Sequence, residues 1–131
     1  MISKKQIFIL FLLFPGLPLL AQPRMVESLN THWHFSRGEK KTATPESESV
    51  NLPHTWNALD MLDDEPGYYR GTGWYTKELF LDERYRDKHL FLYFEGINQD
   101  AAIFINGVSA GTHYGGYTGF AVDITSFVRP G

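Results

Sequence analysis

The chain has 131 residues, 43% of them hydrophobic and 21% charged, with a formal net charge of -3 and no cysteine. That length is the prior for one domain, and the composition supports a folded core rather than disorder. The acidic balance argues against nucleic acid, whose binders carry a basic patch, and without cysteine there is neither a disulfide framework nor a lipid-bearing thiol.

Residues 1–21 read as a secretory signal peptide. Lys4 and Lys5 supply the positive start, residues 7–14 are a short apolar stretch, and Pro15, Gly16 and Pro18 interrupt it before the small residue Ala21. A membrane helix needs about 20 apolar residues, and those breakers oppose one. The expectation is a domain over 22–131 in a periplasmic or secreted protein with no membrane partner. Removing the two leader lysines leaves 10 basic and 15 acidic residues, a net charge of -5. That charge further disfavours nucleic acid and anionic membranes as partners.

In residues 26–37, Trp33 and Phe35 alternate with His32, His34 and Ser36, the period of a half-buried strand. His32 and His34 then share a face. Two imidazoles fall short of a zinc site, so polar residues on an outer strand are the weightier reading. Residues 39–49 are a polar loop. A strand end follows, stopped by Pro53, which has no amide hydrogen for a ladder.

Residues 58–69 are irregular and acidic, with Asp60, Asp63, Asp64, Glu65, Pro66 and Gly67. A loop of that length is a natural carrier of function. Gly71 and Gly73 read as permitting a tight backbone before a strand over 74–81. Residues 82–88 form a charged turn.

The remainder is β throughout. Residues 90–94, LFLYF, are a continuous apolar run, as expected of a strand covered on both faces. Residues 101–105 are a second run. Asn106-Gly107 then signals a hairpin, because both residues tolerate positive φ, and 108–113 is the return strand. Tyr114-Gly115-Gly116-Tyr117 is a glycine-hinged aromatic loop. Phe120, Val122 and Ile124 alternate with Ala121, Asp123 and Thr125 in another strand, and 126–131 is a turn.

Acid–base hydrolysis by carboxyl groups needs a pair of them flanking one bond, with their pKa values pushed apart. The chain has 15 acids, and none sits in a recognisable pair. Glu95 reads as a strand-end acceptor for nearby backbone donors. Trp33, Trp56 and Trp74 offer faces that stack on sugar rings, although tryptophan in such strands is more often core. No phosphate loop or nucleophile elbow is present.

The segment FEGINQDAAIFINGVSAGTHYGGYTGFAVDIT, residues 94–125, resembles the N-terminal sugar-binding domain of glycoside hydrolase family 2. LNTHWHF at 29–35, Leu52-Pro53-His54-Thr55-Trp56 and Gly73-Trp74-Tyr75 extend the likeness. The family contains β-galactosidases, β-glucuronidases and β-mannosidases. The resemblance implies an all-β jelly-roll sandwich of the galactose-binding-domain type, here C-terminally incomplete. It also implies a parent enzyme that hydrolyses O-glycosidic bonds in β-linked carbohydrates. The family's catalytic glutamates lie in a separate downstream barrel, so no catalytic residue carries onto this chain. Arg70 resembles the position from which family members extend a polar side chain toward the sugar. It is the one substrate-binding candidate, against the alternative of an ion pair with Asp63, Asp64 or Glu65. No metal ligand is assigned here; the resemblance allows magnesium or sodium in the parent enzyme. The G-x-G-W-Y-x-K pattern at 71–77 favours the β-galactosidase branch, with glucuronide and mannoside open.

Two alternatives remain: a free-standing carbohydrate-binding module without chemistry, and a scaffold that never touches sugar. Export gives the first testable outcome. Cleavage after Ala21 leaves Gln22 as the new N-terminus, since Ala21 is the small residue at the polar boundary. N-terminal sequencing of exported protein checks this, and a start at Met1 contradicts it.

Overall fold

The computed structural model describes residues 24–38, 47–58, 62 and 67–131. The leader with its cleavage site, most of the polar 39–49 loop and the acids Asp60, Asp63, Asp64 and Glu65 lie outside the described residues. Within them, alternation of apolar and polar side chains produces seven strands. They are β1 (Trp33–Arg37), β2 (Glu48–Val50), β3 (Gly73–Thr76), β4 (Phe91–Phe94), β5 (Asp100–Ile105), β6 (Val108–Tyr114) and β7 (Phe120–Asp123). Two 3-10 turns, Glu83–Tyr85 and Thr125–Phe127, complete the regular structure.

The fold is an all-β sandwich. Its strands pair antiparallel in the orders β2-β1-β3, β4-β7 and β5-β6. Phe35 of central strand β1 lies opposite Tyr75 of β3, and Trp33 opposite Val50 of β2. Ring contacts connect the three sheets. Trp74 of β3 meets Phe104 of β5 at 6.1 Å, and His113 of β6 stacks on Phe120 of β7 at 3.8 Å.

The Asn-Gly hairpin forms as expected. Asn106 has φ 51° and Gly107 φ 80°, both left-handed, as the mirror-image turn requires. Asn106 Nδ2 also donates to Phe127 O at 3.0 Å, tying the hairpin tip to the second 3-10 turn. In β6 the register shifts opposite Ile103 and Phe104, which face Gly111 and Ser109 and leave Ala110 as the extra residue of a bulge.

Two expectations need correction. The strand expected over 74–81 ends at Thr76, opposite His34; β1 extends only one residue further, to Trp33, so 78–81 have no β1 partner. Lys77 instead donates from Nζ to Thr31 O at 2.5 Å and lies 5.9 Å above the Trp33 ring. The 90–94 run is not covered on both faces. Leu92 and Phe94 turn inward, while Phe91 and Tyr93 are 56% and 62% exposed.

The core is shallow. Among the described residues the buried hydrophobics are Phe35, Val50, Ile103 and Ile124, and no side chain is wholly enclosed. Two of the three sheets have only two strands, so each of those strands is an edge with unpaired backbone groups. A two-stranded sheet is marginal by itself in water. The chain expressed alone is therefore expected to self-associate. Light scattering across a concentration series checks this; a monomer with a sharp, reversible thermal transition contradicts it.

Candidate functional site

Phe35 is the hub of an aromatic cluster. It is 5% exposed at the centre of β1, and its ring lies 4.8 Å from Tyr75, 4.9 Å from His54 and 5.8 Å from Trp56. Pairing of β1 with β3 brings Tyr75 there. The segment after β2 returns across the same face, so His54 and Trp56, two residues apart in sequence, both reach it. His54 Nδ1 and Tyr75 Oη are hydrogen-bonded at 2.8 Å. Burial, and then the Glu48 carboxylate, push the Tyr75 hydroxyl above its ordinary pKa, so it stays protonated in that bond.

The two glycines of the 71–77 pattern serve this cluster. Neither adopts the left-handed backbone that would demand glycine. A Cβ at Gly73 would instead collide with the six-membered ring of Trp56, and one at Gly71 with the phenol of Tyr69. They make room for rings rather than for a turn.

The two ends of the 58–69 connection meet here. Arg37 Nη2 donates to Trp56 O, and the Arg37 guanidinium lies 5.2 Å from the centre of the Tyr69 ring. Asn57 Nδ2 donates to Tyr69 O at 3.3 Å, and Tyr69 Oη donates to Thr72 O at 3.1 Å. Trp56 and Tyr69 meet edge-on at 6.3 Å. Arg70 follows directly and is exposed. Among the described residues no side chain pairs with it, and its alternative partners Asp63, Asp64 and Glu65 lie outside them. Sequence reasoning missed Arg37, Asn57 and Tyr69. The available signal was the Gly71-x-Gly73 pair two residues after Tyr69, where small residues leave space for rings.

A second aromatic loop lies at 114–119. Phe120 is stacked on Phe94 at 4.9 Å, and His113 Nε2 lies 3.0 Å from Gly115 O. Gly115 has φ 110° and donates its amide to Gln99 O at 2.7 Å, which supports the glycine hinge. Tyr117 stands 99% exposed beyond it.

The other candidates resolve as follows. Trp33 donates from Nε1 to Leu29 O at 2.6 Å, Trp56 packs in the cluster and Trp74 packs on Phe104, so all three are engaged by protein. His32 and His34 do not share a strand. His32 has φ 58° and precedes β1, its amide donating to Asn51 Oδ1. Among the described residues no three His, Cys, Asp or Glu side chains group to hold a metal. Glu95 is exposed just past β4 and, against expectation, no backbone donor among the described residues bonds its carboxylate. Asp82, Glu83 and Asp123 all titrate below the ordinary carboxylate range, held by hydrogen bonds from Arg84, Arg86 and Thr125 respectively. A general acid needs the opposite shift.

This geometry can be set beside known proteins. The family model for the sugar-binding domain of glycosyl hydrolases family 2 matches residues 26–131. The chain belongs to this family. A β-glucuronidase of Bacteroides fragilis is 40% identical over 122 residues, covering 93% of this chain and 17% of that protein. A β-galactosidase of Thermoanaerobacter pseudethanolicus is 35% identical over 105 residues, 80% of this chain and 14% of that protein. The crystal structure of a Bacteroides uniformis β-glucuronidase superposes with a TM-score of 0.71 at 37% identity, over 79% of this chain and 13% of that one. The chain thus spans less than a fifth of the length of these relatives. It is the sugar-binding domain of family 2, and the catalytic domain is not within the aligned part.

The role given to Gly73 is testable in a protein carrying this domain. Gly73→Ala is expected to destabilise by about 1–3 kcal/mol, the usual cost of overpacking, because the Trp56 ring is held on two sides. Gly71→Ala should cost less, since Gly71 is exposed and its Cβ would meet the far end of the Tyr69 side chain, which can move. Denaturant unfolding of the two variants measures the difference; equal and negligible effects contradict it.

Proposed function

We propose that this domain belongs to an exported enzyme that hydrolyses β-glycosides with retention, and that it helps to hold the sugar while the bond is broken elsewhere. The observation that carries the reading is the family match over 26–131. Retention needs two carboxyl groups about 5 Å apart, one poised as an acid. The described carboxyls whose titration is displaced all move the other way and sit in surface ion pairs and caps. Binding without stabilisation of the transition state gives no rate, so the chain alone should bind weakly and turn nothing over.

The substrate in this reading is a β-glucuronide or a β-galactoside. The relative named for glucuronide has 40% identity and the one named for galactoside 35%, which favours the glucuronide. The 71–77 pattern adds no preference, because its glycines accommodate Trp56 and Tyr69. Arg70 is the proposed sugar contact, as an exposed guanidinium beside a packed aromatic base; its forked donors suit hydroxyl or carboxylate oxygens. For magnesium or sodium no ligand set is assembled among the described residues, and no step is assigned to either ion. Export follows from the leader.

Chromogenic β-glucuronide and β-galactoside assays on the full-length protein and on the chain alone test this. The full-length protein is expected to cleave at least one and the chain neither. In the full-length protein Arg70→Ala should lower kcat/KM about tenfold or more, as loss of a charged hydrogen bond implies. Turnover by the chain alone that disappears on replacing one of its own Asp or Glu residues would overturn the division of labour.

A further inference from the structure

We infer that Arg37 is a positioning residue, a clamp that joins the two ends of the 58–69 connection and so decides where Arg70 stands. This rests on the reading of Arg70 as a sugar contact but goes beyond it, to what aims that side chain. Arg37 is the last residue of β1, and its own backbone is held by pairing with Gly73. From that fixed base its side chain engages both ends. The guanidinium donates to Trp56 O on the outgoing side and covers the Tyr69 ring on the returning side. Asn57 adds a direct bond across the same gap, from Nδ2 to Tyr69 O. Tyr69 is then pinned by its hydroxyl to Thr72 O, and Gly38 N donates to the same carbonyl at 2.9 Å. Arg70 therefore hangs between a residue held from three directions and a glycine packed under its ring.

The planar fork explains why arginine stands at position 37. One edge can donate to a carbonyl while the flat face lies on an aromatic ring. A lysine ammonium can do one or the other. Because Arg37 is exposed, its replacement leaves the Phe35 cluster packed.

The test uses the full-length protein with Arg37→Met, Arg37→Lys and Asn57→Ala. Trypsin cuts after arginine, so cleavage between Arg70 and Gly71 reports directly on how firmly this segment is held. Cleavage after Arg84 serves as the internal reference for general loosening. Arg37→Met is expected to raise cleavage after Arg70 about tenfold relative to Arg84, the least that one lost charged hydrogen bond implies. Arg37→Lys should fall between that variant and the parent, and Asn57→Ala should move in the same direction. On a β-glycoside substrate, Arg37→Met should raise KM more than it lowers kcat, and the effect should largely vanish in an Arg70→Ala background. If cleavage after Arg70 rises no more than after Arg84 in both Arg37→Met and Asn57→Ala, the clamp is wrong. If cleavage rises selectively while Arg70→Ala leaves the kinetics unchanged, the clamp stands and the sugar-contact reading of Arg70 falls.

Discussion

The Trp56 ring lies across Gly73 and against Phe35, and the ordered geometry of this end of the sandwich depends on that packing. The ring reaches the face of β1 only because position 73 carries no side chain. Once seated, it runs nearly parallel to both Phe35 and Tyr75, with interplanar angles of 22° and 24°. Aromatic pairs of this kind contribute about 0.5–1.5 kcal/mol each beyond the area they bury. In a domain with four buried hydrophobic residues among those described, a few such pairs are a large share of local stability. His54 closes the cluster with a hydrogen bond to Tyr75, whose hydroxyl pKa burial raises.

From that base the structure extends outward to a polar side chain. Trp56 fixes the start of the 58–69 connection, Arg37 and Asn57 tie the start to the end, and Tyr69 presents Arg70 to solvent. Rigid β scaffolds commonly carry function in this way, with the strands supplying position and the connection supplying chemistry. The arrangement suits a binding contribution. A guanidinium offers several donors, and hydrogen bonds hold Asp82, Glu83 and Asp123 below the ordinary carboxylate range. Under the proposed reading this end of the sandwich contributes to recognition through Arg70.

The other half of the molecule follows a different logic. The β5-β6 hairpin is organised by its Asn-Gly turn and by one bulge, and it meets β7 through the stack of His113 on Phe120. Phe91 and Tyr93 leave an aromatic face open on β4, and Leu79 and Phe80 are 42% and 88% exposed after β3. Small sheets with free edges and uncovered rings are costly in water, because neither backbone groups nor apolar surface are shielded. The relatives are more than five times longer in sequence, which fits a domain that folds as part of something larger.

Much of this was legible in the residues themselves. Period-two alternation located β1 and β7, and Asn106-Gly107 specified its hairpin, because strand period and left-handed turns are local properties of a few adjacent residues. The ordered motifs from Leu29 to Thr125 identified the family. Other features only the tertiary structure decided. The end of β3 near Thr76 depends on how far β1 runs alongside it. The half-open face of β4 depends on what covers it. The glycines at 71 and 73 are explained by rings that arrive from Tyr69 and Trp56, and the Arg37 contacts join residues 19 and 32 positions apart in sequence. Burial, edge pairing and ring packing depend on which distant segments meet, and residue pattern along one strand carries no record of that.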